Sequence, residues 1–281
     1  MTSIVIPAHN EARVLGRLLD SLLTGDVGDE TDIVVVCNGC TDDTARVAAA
    51  RGPRVRVVEL PAPSKHAALR AGDDHARGFP RLYVDADVVL TAADVRALTE
   101  PLDDGAGRIL ATAPRRHIPL AACAWPVRAY YRVWQRLPAV REGLFGRGVI
   151  AVSKAGHARI AALPPLMADD LAASLAFAAD ERRVVGSAQV VVHPPRTWRD
   201  LIKRRIRAAV STAQVEREGP QGASARTGRS DLTALLRAEP SLLPGVVVFA
   251  AAALVARRGA RKALRAGDFG TWLRDESSRR N

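Results

Sequence analysis

Aromatic residues are scarce in this chain. They make up 4% of its 281 residues, although hydrophobic residues together make up 48%. That content is sufficient for a sizeable core in one large α/β domain, or in a domain with a smaller appendage. The core must therefore consist mainly of valine, leucine, isoleucine and alanine.

Cysteine is also rare, since the chain has only Cys37, Cys40 and Cys123. Three cysteines are too few for a disulfide framework, which favours a reducing compartment. Cys37 and Cys40 form a lone Cys-x-x-Cys pair, typical of a redox pair or of half a zinc site. Zinc needs two further ligands and the sequence has no second pair, so two incidental small residues are the favoured interpretation.

The N-terminus gives no indication of a secretory leader. The chain runs almost directly into a short apolar segment, Ser3–Pro7, without a basic region followed by a longer apolar one. We therefore expect the active part of the protein to be cytoplasmic.

Two glycine-rich nucleotide motifs are missing from the sequence. A dinucleotide-binding dehydrogenase needs Gly-x-Gly-x-x-Gly after its first strand, but the segment Pro7–Glu11 stands there, and no P-loop occurs. A nucleotidyltransferase could share the sheet and a metal, and it is the nearest alternative class. It usually has a glycine-rich phosphate loop after the first strand, which counts against it here.

Acidic residues are few in the last third of the chain. The net charge is +11, and the segment Arg196–Asn281 has 18 basic and 8 acidic residues, so nearly all of the excess lies there. Such a region suits phosphates, acidic lipids or nucleic acid, or simply a solubilising surface. It has no recognisable nucleic-acid motif and few aromatics to stack bases, so we expect no nucleic-acid partner.

Short apolar runs alternate with helical patterns in the first half of the chain. This alternation predicts a mainly parallel sheet covered by helices on both faces, with ligands at the carboxyl ends of its strands. Strands are predicted at Ser3–Pro7, Asp32–Cys37, Val55–Leu60, Arg81–Val84, Gly148–Ser153 and Val184–His193. Helices are predicted over 14–23, 67–76, 93–102, 121–136, 168–179 and 198–216, with a further one capped by Thr41 and running through Val47, and a mobile loop at 219–230.

An Asp85-Ala86-Asp87 triplet follows the fourth predicted strand. Two carboxylates one residue apart can share a hard cation, because Mg²⁺ and Mn²⁺ prefer oxygen ligands and often bridge carboxylates to phosphates. The metal would neutralise charge on a departing diphosphate. The triplet alone is more typical of a solvated turn, so its context decides the interpretation.

That context consists of three further segments, each beside the end of a predicted strand: Pro7–Glu11, Asn38–Thr44 and Ser64–Leu69. Together with the acid triplet, in this order, they resemble the family 2 glycosyltransferases, which have the GT-A fold and invert the sugar configuration. Gly146–Ser153 is similar to the acceptor-side strand of that family. Asp169 and Asp170 resemble the pair of acids in that family. The resemblance extends to about residue 210, and a weaker similarity occurs in 272–279.

The resemblance implies an α/β GT-A fold with a Rossmann-like, mainly parallel central sheet flanked by helices and a C-terminal helical extension. Residues 1–210 would form the glycosyltransferase domain, with a nucleotide-sugar half at 1–113 and an acceptor half at 114–210. Residues 211–281 would be the basic extension. The enzyme would transfer a sugar from a nucleoside-diphosphate sugar to an acceptor hydroxyl, with inversion and with Mn²⁺ or Mg²⁺.

The resemblance also implies roles on the donor side. Pro7, His9 and Glu11 would line the nucleoside pocket, and Asn38 would meet the base edge in a place where the family usually has Asp. A neutral Asn can accept from uracil or thymine but suits guanine less well, so UDP or dTDP is favoured over GDP. The residues that would contact the sugar diphosphate and the metal are Lys65, Asp85 and Asp87.

On the acceptor side, Asp170, with Asp169 beside it, would be the general base that takes the proton of the acceptor hydroxyl. Without the family context, the favoured interpretation is that both acids belong to the first turn of a helix, where the helix dipole stabilises them. Arg204 and Arg207 resemble a basic segment on the phosphate or acceptor side, and His193 is a possible third metal ligand. A cluster of aromatic residues suits either an acceptor pocket or the core: Trp125, Tyr130, Tyr131 and Trp134.

The segment Leu242–Ala256 is apolar and uncharged, and Arg257, Arg258, Arg261 and Lys262 follow it. It is shorter than the roughly 20 residues that a spanning helix needs. It is predicted either as a core helix or as a helix that dips into the inner face of the plasma membrane, where the basic residues would meet acidic headgroups. The second alternative suits a lipid-linked or glycan acceptor.

Overall fold

The computed structural model describes residues 1–24, 31–103, 107–163, 169–218 and 227–265. The chain divides into two compact units. The first comprises Met1–His117, Leu144–Pro165 and Ala176–Val192, and the second comprises Ile118–Gly143, Leu166–Leu175 and His193–Asn281. The division of the chain by function stays a prediction. It places the donor half at 1–113, the acceptor half at 114–210 and the extension at 211–281.

The first unit holds a mixed sheet of seven strands in the described residues, in the order β3-β2-β1-β4-β6-β5-β7. Neighbours among β1 to β4 are parallel, β6 is antiparallel to both β4 and β5, and β7 is parallel to β5. The strands are β1 Thr2–Ala8, β2 Thr31–Asn38, β3 Val55–Leu60, β4 Arg81–Val84, β5 Ala111–His117, β6 Val149–Val152 and β7 Arg182–Val191.

Helices of the first unit cover this sheet, and the described elements of the second unit are helices. Those of the first unit are α1 Leu15–Leu23, α2 Thr44–Ala49, α3 Lys65–His75, α4 Ala92–Thr99 and α7 Lys154–Ala161. Those of the second are α5 Trp125–Trp134, α6 Pro138–Glu142, α8 Asp169–Leu175, α9 Trp198–Glu218, α10 Arg229–Ala238 and α11 Leu243–Arg265.

The central strands are buried on both faces, because their side chains alternate between two cores. Ile4 and Val35 belong to a cluster that also contains the buried stripe of α1. Val34 and Val36 face the other way and pack with Ala68 of α3. This two-sided burial explains the continuous valine and isoleucine runs of β1 and β2, which are typical of parallel strands.

All six predicted strands are confirmed, and so is a central sheet flanked by helices with a C-terminal helical part. Two helix starts were wrong: α2 begins at Thr44 after Asp43, so Thr41 does not cap it, and the helix predicted from residue 121 begins at Trp125. The strand β5 was not predicted. Residues 219–226 of the loop predicted at 219–230 lie outside the described residues, as does the tail at 272–279.

The helix α11 packs against α5 and α9 in the second unit. The ring of Phe249 stacks on Tyr130 at 5.2 Å between centroids. A side chain at Gly245 would lie 3.0 Å from a Val133 methyl carbon, and one at Gly259 would lie 2.5 Å from Ile206, so both glycines allow close approach. The core interpretation of 242–256 is therefore confirmed for this face of the helix. By length and composition alone, Pro240–Ala263 could cross a membrane, and 33% of an apolar 18-residue stretch within it is buried.

The aromatic cluster on α5 divides between core and surface. Tyr130 and Tyr131 are buried, whereas Trp125 is exposed. Burial raises the pKa of the Tyr130 hydroxyl to about 12. Arg205 of α9 lies 5.8 Å from the centre of the Tyr130 ring. For the two tyrosines the core interpretation is confirmed.

Candidate active site at the carboxyl edge of the sheet

The side chain of Asn38 joins three backbone segments at the end of β2. Its Nδ2 donates to the carbonyl oxygen of Ala8 at 2.8 Å, and its Oδ1 accepts from the backbone N–H of Ser64 at 3.0 Å. The residue is only 4% exposed. Asn38 therefore fixes the end of β1 to the start of α3, and its predicted contact with a base edge stays a prediction.

His9 lies beside Asn38 at the end of β1. Its Nδ1 is 2.7 Å from the carbonyl oxygen of Asn38. A carbonyl oxygen only accepts, so Nδ1 carries the hydrogen, and in the neutral ring Nε2 is an acceptor. Pro7 and His9 are half-buried, whereas Glu11 is buried.

The loops after β1 and β2 hold each other through side chains. Asn10, which has a positive φ of 54°, accepts at Oδ1 from the backbone N–H of Thr41 at 2.8 Å. The hydroxyl of Thr44 accepts from the backbone N–H of Glu11 at 2.8 Å, and Asp42 accepts from that of Ala12 at 3.2 Å. Partial burial alone would raise the pKa of Asp42, but hydrogen bonds from the Thr44 hydroxyl and from the N–H groups of Ala12 and Thr44 lower it.

Lys65 and Asp85 meet at this edge. Ser64 caps α3 by accepting from the N–H of Ala67 at 3.2 Å, so Lys65 is the first residue of the helix. Its ammonium nitrogen lies 3.1 Å from Oδ1 of Asp85, and the two side chains are 39% and 44% exposed. A salt bridge in this setting adds little stability, because water screens it. It does bring a cation and a carboxylate of the predicted donor site together.

The acid triplet itself alternates between core and surface. Ala86 is buried at 4% exposure, whereas Asp85 and Asp87 are half-buried. The N–H of Asp85 donates to the carbonyl oxygen of Gly148 at 2.8 Å, which fixes the backbone of the first acid. Both carboxylates thus lie on the accessible side of the segment that follows β4.

The segment Gly146-Arg147-Gly148 packs beside this triplet. Gly148 has a φ of +69°, and a side chain there would come within 2.6 Å of a Val88 methyl carbon and 3.3 Å of Oδ2 of Asp85. Arg147 is 2% exposed and donates to the carbonyl oxygen of Pro114 at 2.9 Å. Burial lowers the pKa of its guanidinium to about 10. The sequence placed these three residues at the start of the acceptor-side segment Gly146–Ser153 but did not indicate their contact with the acid triplet; two glycines around an arginine were the available signal.

A divalent metal would need ligands beyond the triplet. Across the described ranges, no three His, Cys, Asp or Glu side chains lie close enough together to hold a metal ion. Two carboxylates nevertheless fit a Mg²⁺ or Mn²⁺ ion that takes its remaining oxygens from substrate phosphates and water, as such ions often do. The donor set of Asp85 and Asp87 therefore suits a metal that arrives with its nucleotide.

The Cys-x-x-Cys pair spans the end of β2 and the loop that follows it. Cys40 accepts at Sγ from the backbone N–H of Asn10 and donates to the carbonyl oxygen of Ala8, both at 3.5 Å. Cys37 is buried, and burial is the main reason that the pKa of its thiol rises to about 12. Both cysteines are free thiols, and Cys40 serves to connect the two loops.

The predicted acceptor-side residues lie in the second unit. Asp170 is exposed in the first turn of α8, and its Oδ1 accepts from the N–H of Leu171 at 2.8 Å. The side chain of Asp169 lies outside the described parts. Arg204 donates to the carbonyl oxygen of His193 at 3.1 Å, and Arg207 is half-buried on the same helix, α9. The possible metal ligand His193 is half-buried and stays a prediction.

Comparison with known proteins agrees with this geometry. Residues 3–152, more than half of the chain, match the profile of the family described as Glycosyl transferase family 2. An uncharacterised glycosyltransferase of Mycobacterium bovis is 38% identical over 124 residues, which are 44% of this chain and 52% of that protein. The undecaprenyl-phosphate 4-deoxy-4-formamido-L-arabinose transferase of Edwardsiella ictaluri is 32% identical over 110 residues, 37% of this chain and 34% of that one.

Among solved structures, the glucosyl-3-phosphoglycerate synthase of Mycobacterium tuberculosis, in complex with Mn²⁺, UDP-glucose and phosphoglyceric acid, has a TM-score of 0.57. It is 22% identical, and the match covers 79% of this chain and 81% of that one. This likeness confirms the GT-A fold. The chain spans about half the length of the mycobacterial relative and about a third of the Edwardsiella one. The family match, the order of the motifs and the fold agree, and the chain belongs to glycosyl transferase family 2.

Proposed function

We propose that this chain transfers a sugar from UDP-sugar or dTDP-sugar to an acceptor hydroxyl, with inversion and with Mn²⁺ or Mg²⁺. The observation that carries the proposal is the meeting of Lys65 with the acid triplet at the carboxyl edge of the parallel strands, where α/β sheets bind their ligands. Membership of glycosyl transferase family 2 supports the assignment of sugar transfer to this edge.

On the donor side, Pro7, His9 and Glu11 line the nucleoside pocket. The cation of Lys65 would approach the diphosphate, Asp85 would contact the ribose or water at the metal, and Asp87 would hold the metal. When bound, the ion supplies positive charge against the diphosphate as it leaves. Asn38 holds the pocket in shape through Ala8 and Ser64.

On the acceptor side, Asp170 takes the proton of the acceptor hydroxyl. The oxygen attacks the anomeric carbon in line, the bond from that carbon to the diphosphate oxygen breaks, and the nucleoside diphosphate leaves without a covalent intermediate. The exposure of Asp170 suits this role, since a base must reach a hydroxyl at hydrogen-bond distance. Arg204 and Arg207 contribute positive charge on the phosphate or acceptor side.

The acceptor is proposed to be lipid-linked or a glycan, and the enzyme to work at the cytoplasmic side, peripherally at the inner face of the plasma membrane. The relative from Edwardsiella is named for a polyprenyl phosphate. The apolar first part of helix α11, with basic residues in its last part, supports a location near lipid.

Titration calorimetry with UDP tests the donor site. We expect UDP to bind with Mn²⁺ and to bind much more weakly with excess chelator, and we expect Asp87→Ala to abolish the metal-dependent part. Asp74→Ala, at an exposed acid on α3, is the matched control. Equal UDP affinity with and without chelator would contradict metal-dependent binding. Pyrophosphate release from a nucleoside triphosphate and a sugar phosphate would favour a nucleotidyltransferase instead.

Turnover of a UDP-sugar tests the base. Asp170→Asn should keep UDP affinity and lower turnover by about 10²-fold or more, because the proton then has no acceptor. Asp169→Asn is the paired control. An inactive Asp169→Asn beside a fully active Asp170→Asn would show that the wrong acid was assigned.

A further inference from the structure

The helix α11 has an apolar face on its outside as well as on its inside. Its inner face packs in the second unit with Gly245, Phe249, Ala252, Ala256 and Ala260, all buried or nearly so. Several other apolar residues of the helix are exposed: Leu243 is 56% exposed, Val247 62% and Leu254 51%.

These exposed residues form one stripe. Leu243, Val247, Ala250 and Leu254 follow one another at helical spacings of three and four, so they lie on one side of the helix. The stripe extends for about 16 Å at the rise of an α-helix. An exposed apolar stripe on a helix whose other side is already packed indicates a surface that meets something apolar.

Basic residues continue the same side of the helix. Arg258 and Arg261 are exposed at the next steps of three or four residues, and Arg257 and Lys262 flank them. No acidic residue occurs anywhere in α11, Leu243–Arg265. An apolar stripe that runs into cations suits a surface with an apolar interior and anionic groups at its boundary.

An exposed tryptophan lies at the start of α5. The contacts Arg136 with Glu239, Ala129 with Gly245 and Tyr130 with Phe249 show that α5 and α11 run in opposite directions. The start of α5 is therefore alongside the half of α11 that follows Phe249. Trp125 at this start is 56% exposed. Tryptophan is enriched where a protein meets the boundary between water and lipid.

We propose that this stripe, Leu243, Val247, Ala250 and Leu254, lies in the surface of an anionic lipid bilayer. The helix lies in the plane of the membrane, Arg258 and Arg261 contact anionic headgroups, and Trp125 sits at the headgroup level. Since the inner face stays packed on α5 and α9, the helix contributes one face and does not cross. The inference deepens the peripheral location in the proposed function and rests on it, but not on sugar transfer.

Flotation with vesicles tests the docking surface. The full chain should float with mixed phosphatidylcholine and phosphatidylglycerol vesicles at low salt, less with phosphatidylcholine alone, and less at high salt. The double variant Val247→Glu with Leu254→Glu should bind at least about tenfold more weakly. Both positions are exposed, so the thermal midpoint should hold. Ala93→Glu, at an exposed alanine of α4, should bind like the parent.

A second pair of variants tests the contribution of the basic residues to vesicle binding. Each basic residue near an anionic surface strengthens binding about fivefold, so Arg258→Gln with Arg261→Gln should weaken it about 25-fold. The matched control is Arg13→Gln with Arg17→Gln, at two exposed arginines around the start of α1.

Three outcomes would overturn the proposal. The first is unchanged flotation of the Val247 and Leu254 variant, and the second is no flotation of the parent chain at low salt. The third is a parent chain that binds no vesicles and sediments as a dimer, which the same variant dissociates. The last would assign the stripe to a second copy. UDP calorimetry on the same variants separates the two proposals, because a chain that floats as expected and ignores UDP contradicts only the transferase.

Discussion

Lys65 and Asp85 form an ion pair, with Nζ of Lys65 lying 3.1 Å from Oδ1 of Asp85. The two residues are 20 positions apart in sequence, and each follows the end of a different strand, β3 or β4. The pair places a cation beside a carboxylate of the proposed metal site. A diphosphate bound at that site, as proposed, would have its oxygens near Lys65.

We expect Lys65→Gln to weaken UDP binding by about tenfold or more, because the diphosphate loses a charge-assisted contact. Stability should hardly change, since the pair is exposed and screened. Lys154→Gln is a matched control: Lys154 is also the first residue of a helix capped by serine, on α7. Calorimetry measures both, and equal UDP affinity in the two variants would contradict the role of Lys65.

Gly148→Ala should disturb the acid triplet. The added carbon would meet Val88 at 2.6 Å and Oδ2 of Asp85 at 3.3 Å, on a backbone with φ of +69°. The left-handed backbone alone costs about 1–2 kcal/mol. Gly52→Ala has the same backbone cost, with φ of +75°, but nothing within 4 Å of the new carbon.

Comparison of the two glycine variants therefore isolates the crowding of Asp85. We expect both to lose stability in urea, and only Gly148→Ala to lose Mn²⁺-dependent UDP binding as well. Equal losses of stability with unchanged UDP binding would show that the triplet tolerates the displacement.

The sequence predicted much of this edge, for identifiable reasons. Val34, Val35 and Val36 form part of an unbroken apolar run, and such runs bounded by turn residues identify buried parallel strands. The motif order then placed Lys65 and Asp85 at one edge, where the structure brings them together. Spacing could not tell which way the Asn38 amide points, because that depends on where the loop before Ser64 passes.

The strand β5 shows where the pattern fails. Its sequence has Pro114 in the middle and Arg115 and Arg116 after it, which is atypical of a strand interior. The proline is tolerated because the register with β7 shifts between Pro114 and Arg115. For α11, composition indicated an apolar helix but could not decide between core and membrane, because one face packs on α5 and the other is exposed.

Asn38→Asp tests the buried amide. The new carboxylate would oppose the carbonyl oxygen of Ala8, which now accepts from Nδ2 at 2.8 Å. Burial and this repulsion both raise the pKa of an introduced carboxyl. We expect a loss of about 3 kcal/mol near pH 7, which shrinks as the pH falls and the carboxyl is protonated. Urea unfolding of parent and variant at each pH measures it, and a small loss that is independent of pH would contradict the geometry.

Asp73 has a pH-dependent role at the opposite end of β4. Its Oδ1 accepts from Arg81 at 2.8 Å and from Tyr83 at 2.7 Å, and lies 3.3 Å from Nε2 of His157. Burial alone would raise the pKa of Asp73, but the hydrogen bonds from His157, Tyr83 and Arg81 prevail and lower it. The folded state thus holds the carboxylate more firmly than the unfolded chain does.

Asp73→Asn should therefore cost about 3 kcal/mol of stability at neutral pH, since it leaves the buried Arg81 without its countercharge. Because the folded pKa of Asp73 is lowered, its contribution is fully present above the unfolded pKa of about 4. It is lost as the pH falls through the folded value. Urea unfolding at a series of pH values should show a constant difference between pH ~5 and ~7 that shrinks below ~4. Asp43→Asn is the control, because its ion pair with Arg46 is exposed and water screens it. A difference that stays constant down to the acid limit would show that Asp73 acts through its shape and not through its charge.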